Sequence, residues 1–170
     1  MKTLNFKDII KYTKKGSYEI HLDWDSISDY IERKTTNLKL DINPDFQRGH
    51  VWTFDQCVAY VEYKLSGGPD AEILYFNCVG WMHDYRGPFV LVDGLQRLNA
   101  VRLFLDNKNR AFGHYYSEFT GPLQCQFKFN INNLKSRAEV LNWYIQMNST
   151  GIPHTDKEIS RVKELLQKEK

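Results

Sequence analysis

The sequence lacks a long hydrophobic run and a recognisable export signal. No stretch of about eighteen apolar residues occurs anywhere in its 170 residues, so we expect no transmembrane helix and no membrane partner. Residues 1–15, MKTLNFKDIIKYTKK, contain neither an uninterrupted apolar core nor a small-residue cleavage site, so they are not predicted to be a secretory signal. The expectation is therefore a cytoplasmic protein.

Cysteine is scarce and shows no pairing pattern. The three residues, Cys57, Cys78 and Cys125, lie far apart and form no Cys-x-x-Cys spacing. An odd number without metal-like spacing argues against a disulfide scaffold or a zinc site and favours a reducing compartment. We expect all three to be reduced thiols that are mostly buried as small apolar groups.

Neither sign of charge dominates. The chain has 23 Lys and Arg residues against 21 Asp and Glu residues, a formal net charge of +2. Proteins that bind nucleic acids regardless of sequence usually carry a strong basic excess or a clear basic face. The charge balance therefore does not predict such a function, and DNA contact would need a local basic patch.

Apolar residues, in contrast, are abundant. Hydrophobic residues make up 42% of the chain and aromatic residues 14%, which is typical of a folded protein and not of a disordered one. A chain of this length can bury a real core within one domain. No internal repeat or low-complexity segment divides it, so we expect a single domain over residues 1–170.

Strand and helix patterns follow one another along the chain. Strands are predicted where apolar and polar residues alternate or where short apolar runs end in turn residues: 18–22, 38–42, 73–79, 89–93 and 124–131. Helices are predicted where apolar residues recur every three or four positions: 26–33, 53–65, 94–105, 137–147 and from 155 onward. The predicted fold class is therefore mixed α/β, with short strands and connecting helices.

Two of the predicted helices begin with capping-box spacing. Thr53 precedes Gln56 by three residues, and Thr155 precedes Glu158 by three. In such a pair each side chain bonds to a backbone N–H group of the first turn. We therefore expect helices to start at both positions.

The segment 90–105, VLVDGLQRLNAVRLFL, joins a predicted strand to a predicted helix through polar residues. The first N–H groups of a helix have no intrahelical partner and carry partial positive charge, so a helix start with a glycine suits an anion. Arg97 and Arg102 carry guanidinium groups whose geometry matches phosphate. Asp93, at the strand end, could hold a metal ion, orient a ribose hydroxyl or act as a base.

A simpler interpretation of this segment is a plain strand–helix junction. In it Asp93 caps the helix and Arg97 points into solvent. One glycine and one arginine do not make a phosphate loop, so the spacing alone favours the simpler interpretation.

Two other segments carry polar residues in predicted loops. In INPDFQRGHVWT, residues 42–53, a turn is followed by Gln47 and Arg48. In QMNSTGIPHTDKE, residues 146–158, Asn148 and Gly151 lie between two predicted helices. Each segment alone is interpreted as an ordinary connection, the first fixed to the core by its aromatic residues.

Taken together, the three segments resemble the amino-terminal domain of the GmrSD-type restriction enzymes and their bacterial and phage relatives. The family's P-x-F-Q-R-x-x-V-W segment is met at 44–52, and its Asp-Gly-Gln-Gln-Arg-Leu motif at 93–98. Its Asn-x-x-Gly-x-Pro-Leu-(Ser/Thr)-x-x-Glu segment is met at 148–158. The order and separations also fit, so the resemblance covers roughly residues 38–165.

The resemblance implies a single domain similar in fold to the ParB amino-terminal and sulfiredoxin domains. In that group the helix-opening Gly…Arg motif holds nucleotide phosphates. The resemblance thus implies that the chain binds a nucleoside triphosphate and hydrolyses it with a magnesium ion, within a bacterial or phage DNA-restriction system. A separate nuclease or restriction subunit, and DNA itself, are the further partners it suggests.

Individual roles follow from this resemblance. Catalysis is assigned to Asp93, Gln96 and Arg97. Nucleotide or phosphate binding is assigned to Gln47, Arg48, Gly94, Leu95, Arg102, Asn148 and Gly151. Magnesium is assigned to Asp93 and Asn148. We expect the polar members, Gln47, Arg48, Asp93, Arg97 and Asn148, to surround one pocket, since loops and element ends are where sites are usually built.

The sequence departs from the family pattern in several places. Leu95 replaces the first glutamine of the motif, so its backbone N–H remains available but any role of that side chain is lost. His154 occupies a position that is usually apolar. Family members that cut DNA continue into an HNH-type domain, for which 170 residues leave no room, and no cysteine occupies the turn that sulfiredoxin needs. We therefore expect neither DNA cleavage nor sulfiredoxin activity.

Two alternatives belong to other functional classes. One is a non-catalytic module that binds DNA or regulates a restriction complex, in which basic residues such as Lys128 and Arg137 would matter more. The other is a metal-dependent nuclease that uses Asp and Glu side chains.

Overall fold

A mixed sheet of five strands and five α-helices make up the part of the chain that the computed structural model describes, residues 9, 12, 18–81, 88–148 and 156–169. The strands are β1 (Tyr18–Asp23), β2 (Leu40–Asp41), β3 (Ile73–Cys78), β4 (Phe89–Asp93) and β5 (Gln126–Asn132). The helices are α1 (Ile27–Leu38), α2 (Phe54–Leu65), α3 (Leu95–Leu105), α4 (Arg137–Asn148) and α5 (Asp156–Lys168). The predicted mixed α/β class is confirmed.

The strands lie in the order β1-β5-β3-β4-β2. β1 pairs antiparallel with β5, β5 parallel with β3, β3 antiparallel with β4, and β4 parallel with β2. Because β2 has two residues, it pairs with β4 only at Phe89 and Val90. The carboxyl end of β4 therefore extends beyond its neighbour on that side.

The sheet separates two apolar clusters. On one side Phe76, Leu91 and Phe129 pack with the buried faces of α1, α2 and α3. On the other side Val92 packs in a cluster with Leu141 and other residues of α4 and α5. β4 thus contributes to both clusters, which explains why its sequence, FVLV, is an unbroken apolar run. Full burial of each large apolar side chain contributes about 1.5–3 kcal/mol.

β5 shows the alternation that the sequence predicted. Phe127, Phe129 and Ile131 are buried, whereas Lys128 between them is partly exposed. Cys125 precedes the strand and is partly buried. None of the helices that the structure describes is long and apolar enough to cross a membrane.

The boundary between α1 and β2 differs from the prediction. The helix predicted at 26–33 continues to Leu38, and the strand predicted at 38–42 is reduced to two residues. Leu38 comes eleven residues after Ile27, about three helical turns, so it falls on the same face and packs against the same core. Lys39 then ends the helix in a left-handed conformation, with φ of 52°.

The first capping box is confirmed. Oγ1 of Thr53 accepts from the Gln56 N–H at 3.3 Å, and Oε1 of Gln56 accepts from the Thr53 N–H at 2.8 Å. The second, at Thr155, lies outside the described residues. All three cysteines are free, with Cys57 and Cys78 buried and Cys125 partly so. Burial raises the pKa of the thiols of Cys57 and Cys125.

Gly94 turns β4 directly into α3. Its φ of 109° is a conformation that L-residues rarely adopt. A Cβ atom at this position would also overlap Cδ2 of Leu74 and lie 3.3 Å from Nη2 of Arg97. The junction therefore requires glycine both for its backbone angle and for close packing against β3.

We expect Gly94→Ala to destabilise the protein more than the same change at Gly113. Gly113 has a φ of 80° and nothing within 4 Å of an added Cβ, so its substitution introduces only backbone strain, about 1–2 kcal/mol. At Gly94 displacement of Leu74 should add about 1 kcal/mol or more. Urea unfolding of both variants measures the difference, and equal losses would show that packing at Gly94 contributes nothing.

Candidate functional site

A pocket of about 270 Å³ lies where β4 ends and α3 begins. Its walls come from the loop before α2 (residues 44–52, the pre-α2 loop), the β4–α3 junction and the last turns of α4. The lining residues are Gln47, Arg48, Trp52, Asp93, Gly94, Leu95, Gln96, Arg97, Tyr144, Met147 and Asn148. Every residue predicted for the site lines it except Arg102, and Gly151, which lies outside the described residues. Their functional roles remain predictions.

Asp93 and Arg97 form an ion pair within the pocket. Nη2 of Arg97 donates to Oδ2 of Asp93, and the two side chains are 17% and 34% exposed, respectively. Gly94, not Asp93, is the N-cap of α3. The simpler interpretation, with Asp93 as the cap and Arg97 in solvent, is therefore wrong.

The start of α3 offers main-chain donors to this pocket. Gly94 accepts the first helical hydrogen bond, from the Leu98 N–H at 2.9 Å, and the N–H groups of the first turn have no acceptor within the helix. Leu95 is 4% exposed and belongs to the core. The residue that departs from the family motif thus packs its side chain inside the protein, while its main chain lies at the pocket.

Gln96 uses both ends of its side-chain amide to hold the pre-α2 loop. Its Oε1 accepts from the N–H groups of Val51 and Trp52 at 2.9 and 3.1 Å. Its Nε2 donates to the carbonyl oxygen of Gly49 at 3.0 Å. These contacts make Gln96 a positioning residue, because its amide is already occupied by the main chain.

Gln47 has a comparable role at the sheet edge. Its Nε2 donates to the carbonyl oxygen of Leu91 at 2.8 Å. Leu91 lies one residue beyond the part of β4 that pairs with β2. Gln47 therefore continues the hydrogen bonding of the sheet where β2 stops, and fixes the pre-α2 loop against β4.

Arg48 and Tyr144 join the pre-α2 loop to the helices α4 and α5. Nη1 of Arg48 lies 3.8 Å from Oε2 of Glu158. Burial raises the pKa of Tyr144 to about 12, and the charge and backbone hydrogen bond of Arg48 oppose that shift. The hydroxyl of Tyr144 therefore stays protonated at neutral pH. Its ring also packs edge-on against Phe46, with centroids 5.2 Å apart.

Asn148 lines the pocket as predicted, whereas Arg102 does not. Nδ2 of Asn148 donates one hydrogen bond to the Tyr144 carbonyl oxygen at 2.8 Å, which leaves its Oδ1 and its second N–H without a bond to that carbonyl. Arg102 follows Arg97 by five residues, which places it about 140° around α3. Arg102 is therefore not positioned to bind phosphate beside Arg97.

The described residues of the pocket suit a magnesium ion that is held together with an anionic ligand. The described residues contain no group of three or more His, Cys, Asp or Glu side chains that could hold a metal. Of the described residues that line the pocket, Asp93 is the one carboxylate. Magnesium is commonly bound by one or two carboxylates plus substrate phosphates and water, so Asp93 with Oδ1 of Asn148 suits that kind of shared site.

A separate cluster, centred on His50, joins the pre-α2 loop to α2 and α3. Nε2 of His50 is 3.6 Å from Sγ of Cys57, and its Nδ1 is 3.4 Å from Nδ2 of Asn99. The arrangement has the residue types of a thiol nucleophile with its base. However, Cys57 is fully buried and its pKa is raised by burial, so these contacts hold the loop and do not expose a reactive thiol.

The basic residues considered for DNA contact are ion-paired. Nζ of Lys128 lies 2.6 Å from Glu72, and the hydrogen bond between them lowers the pKa of Glu72. Arg137 contacts Asp45 at 2.7 Å and Glu169 at 3.2 Å. Arg137 borders a groove of about 810 Å³ with mainly apolar walls. None of the polar residues predicted for the site lines this larger groove. Pro44, Asp45 and Phe46, which precede Gln47 on the pre-α2 loop, do line it.

Sequence reasoning missed three residues that line the pocket: Trp52, Tyr144 and Met147. Tyr144 precedes Asn148 by four positions, and α4 extends one residue beyond the predicted helix to include Asn148, so the two share a face of α4. With that longer helix the spacing would have identified Tyr144. Trp52 was interpreted only as a core anchor. Its ring does pack against Tyr60, with centroids 5.5 Å apart.

Comparison of the chain with protein-family models, with curated proteins and with solved structures gives no match in any of the three. The relationship to the GmrSD-type family therefore remains a prediction that depends on the three sequence segments.

We expect Gln96→Ala to loosen the pre-α2 loop without unfolding the protein. The N–H groups of Val51 and Trp52 lose their acceptor, and a hydrogen bond contributes about 0.5–1.5 kcal/mol, so their amide exchange should speed up about 2- to 12-fold. Exchange measured by NMR tests this. Gln126→Ala, which removes a surface contact to Asp23, is the control, and unchanged exchange at Val51 and Trp52 would contradict the assigned role of Gln96.

Proposed function

We propose that this chain binds a nucleoside triphosphate by its phosphate chain at the β4–α3 junction and hydrolyses it. We further propose that it does so as a ParB-like domain of a bacterial or phage DNA-restriction or defence system, alone or with a separate nuclease or restriction subunit. The observation that carries the proposal is the meeting, at one pocket, of a helix start, two arginines and a carboxylate from segments far apart in the sequence.

The size and chemistry of the pocket support recognition of phosphates. Its volume of about 270 Å³ lies just below the range for small-molecule sites, about 300–1,000 Å³. A phosphate chain needs less room than a whole nucleotide, whose base would extend past the pocket. The N–H groups of Leu95 and Gln96 with the guanidinium groups of Arg48 and Arg97 are suitable donors for phosphate oxygens.

The same groups support a hydrolytic reaction. Phosphoryl transfer is catalysed mainly by positioning and by stabilisation of charge on the transferred group. Arg97 would neutralise charge that develops on the phosphoryl oxygens, while Arg48 would hold the rest of the phosphate chain. Asp93 would hold a magnesium ion or orient the attacking water. Magnesium, when bound, neutralises phosphate charge and fixes the phosphate oxygens.

The contacts of the basic residues favour this proposal over a DNA-binding module. Lys128 and Arg137 are neutralised by carboxylates at 2.6 and 2.7 Å. Arg48 and Arg97 also contact carboxylates, Glu158 and Asp93, but these two arginines line one pocket together with the start of α3. Gln96 is retained in the proposal as a positioning residue and not as a group that touches the substrate, because the main chain occupies its amide.

We expect Arg97→Ala to weaken binding of magnesium nucleotides about 10- to 100-fold. Loss of a charge-assisted hydrogen bond costs about 1.5–3 kcal/mol. Arg102→Ala is the matched control, since Arg102 lies on the same helix but does not line the pocket; it should leave the affinity unchanged. If Arg97 also stabilises the transition state, hydrolysis should fall further than binding.

Calorimetric titration with each of the four nucleoside triphosphates and magnesium measures these affinities, and phosphate release measures turnover. Melting temperatures of the variants report whether the fold is intact. The proposal would be refuted if the wild-type protein bound none of the four, or if Arg97→Ala and wild type bound them equally well.

A further inference from the structure

The ion pair between Asp93 and Arg97 lies in the pocket at the start of α3, where we propose that the phosphate chain binds. Arg97 reaches back over the start of α3, since its Nη2 lies 3.3 Å from where a Cβ on Gly94 would be. There it donates to the carboxylate of Asp93. The guanidinium group proposed to hold a phosphate is therefore already bound to an anion supplied by the protein itself.

A bare polyphosphate would meet two obstacles at this site. It has to displace the Asp93 carboxylate from Arg97, and its negative charge would then lie beside that carboxylate. Both side chains are partly buried, 34% and 17% exposed, and like charges repel more strongly in such surroundings than in water. A cation held by Asp93 removes both obstacles, because it neutralises the carboxylate and frees Arg97.

We propose that Asp93 makes the site selective for the divalent-cation complex of a triphosphate over the metal-free anion. The inference rests on the proposed function and adds to it the form of the substrate that is bound. The cation and the phosphate chain each break the same ion pair, so binding of either favours binding of the other. Asp93 is thus a specificity-determining residue, in addition to any contact it makes with the ion.

The test is a double-mutant cycle of Asp93→Asn and Arg97→Ala, with affinity for ATP measured by calorimetry in magnesium and, separately, in EDTA. Asp93→Asn keeps the size of the side chain and removes its charge. We expect it to raise the affinity for metal-free ATP about tenfold and to reduce the magnesium dependence of binding. In the Arg97→Ala background the same change should give a much smaller gain.

Two controls separate this effect from others. Asp106→Asn removes an equal charge at the opposite end of α3, where the carboxylate contacts Lys108 at 3.1 Å, and should leave the affinity unchanged. Asp93→Ser tests the same release of Arg97 if the asparagine variant folds poorly, as judged by thermal melting.

The outcomes distinguish this inference from the proposed function. If wild type binds magnesium ATP but Asp93→Asn gives no gain for metal-free ATP, the selectivity is wrong and the proposed function stands. An equal gain with and without Arg97 would also overturn it, because the coupling between cation and phosphate would then not depend on the Asp93–Arg97 ion pair. If wild type binds no triphosphate under any condition, the proposed function fails and the inference with it.

Discussion

The turn at Gly94 is the constraint on which the rest of the site depends. β4 is buried on both faces and α3 is buried along one, and a left-handed glycine joins them with no intervening loop. This short connection brings Asp93 and Arg97 into contact at one helix start. It also fixes the direction in which Gln96 points, towards the pre-α2 loop. A longer connection would separate the carboxylate of Asp93 from the guanidinium group of Arg97. It would also leave the first N–H groups of α3 outside an enclosed pocket.

The pocket is held together by side chains that bond to the main chain. Gln47 bonds to β4, Gln96 to the pre-α2 loop, and Asn148 to its own helix. Tyr144 links α4 to Arg48, which itself contacts Glu158 of α5. Several residues whose polarity suggests ligand binding are therefore parts of the framework. The other groups at the pocket are the helix start and two arginines, each paired with a carboxylate, and this set is the basis of the proposal that the pocket binds phosphate.

The sequence predicted local secondary structure well, but it did not predict which distant residues each side chain contacts. The change from an apolar run to a helical period located the β4–α3 junction, and the Thr53–Gln56 spacing located the start of α2. The boundary at Leu38 was wrong because a helical face continued through residues whose polar and apolar alternation suggested a strand. Arg102 was assigned to phosphate although its angle around α3 separates it from Arg97. The bond from Gln96 to the loop joins residues 45 positions apart, and no local pattern specifies such a partner.

The central claim is that a phosphate chain binds at the start of α3. Titration of isotope-labelled protein with inorganic triphosphate and magnesium, followed by backbone amide NMR, tests it most directly, because it needs no base recognition and no turnover. The account predicts that the amide signals of Leu95, Gln96 and Arg97 shift most, with smaller shifts in the pre-α2 loop. Largest shifts in the groove beside Arg137, or no shift in any amide at millimolar ligand, would contradict it.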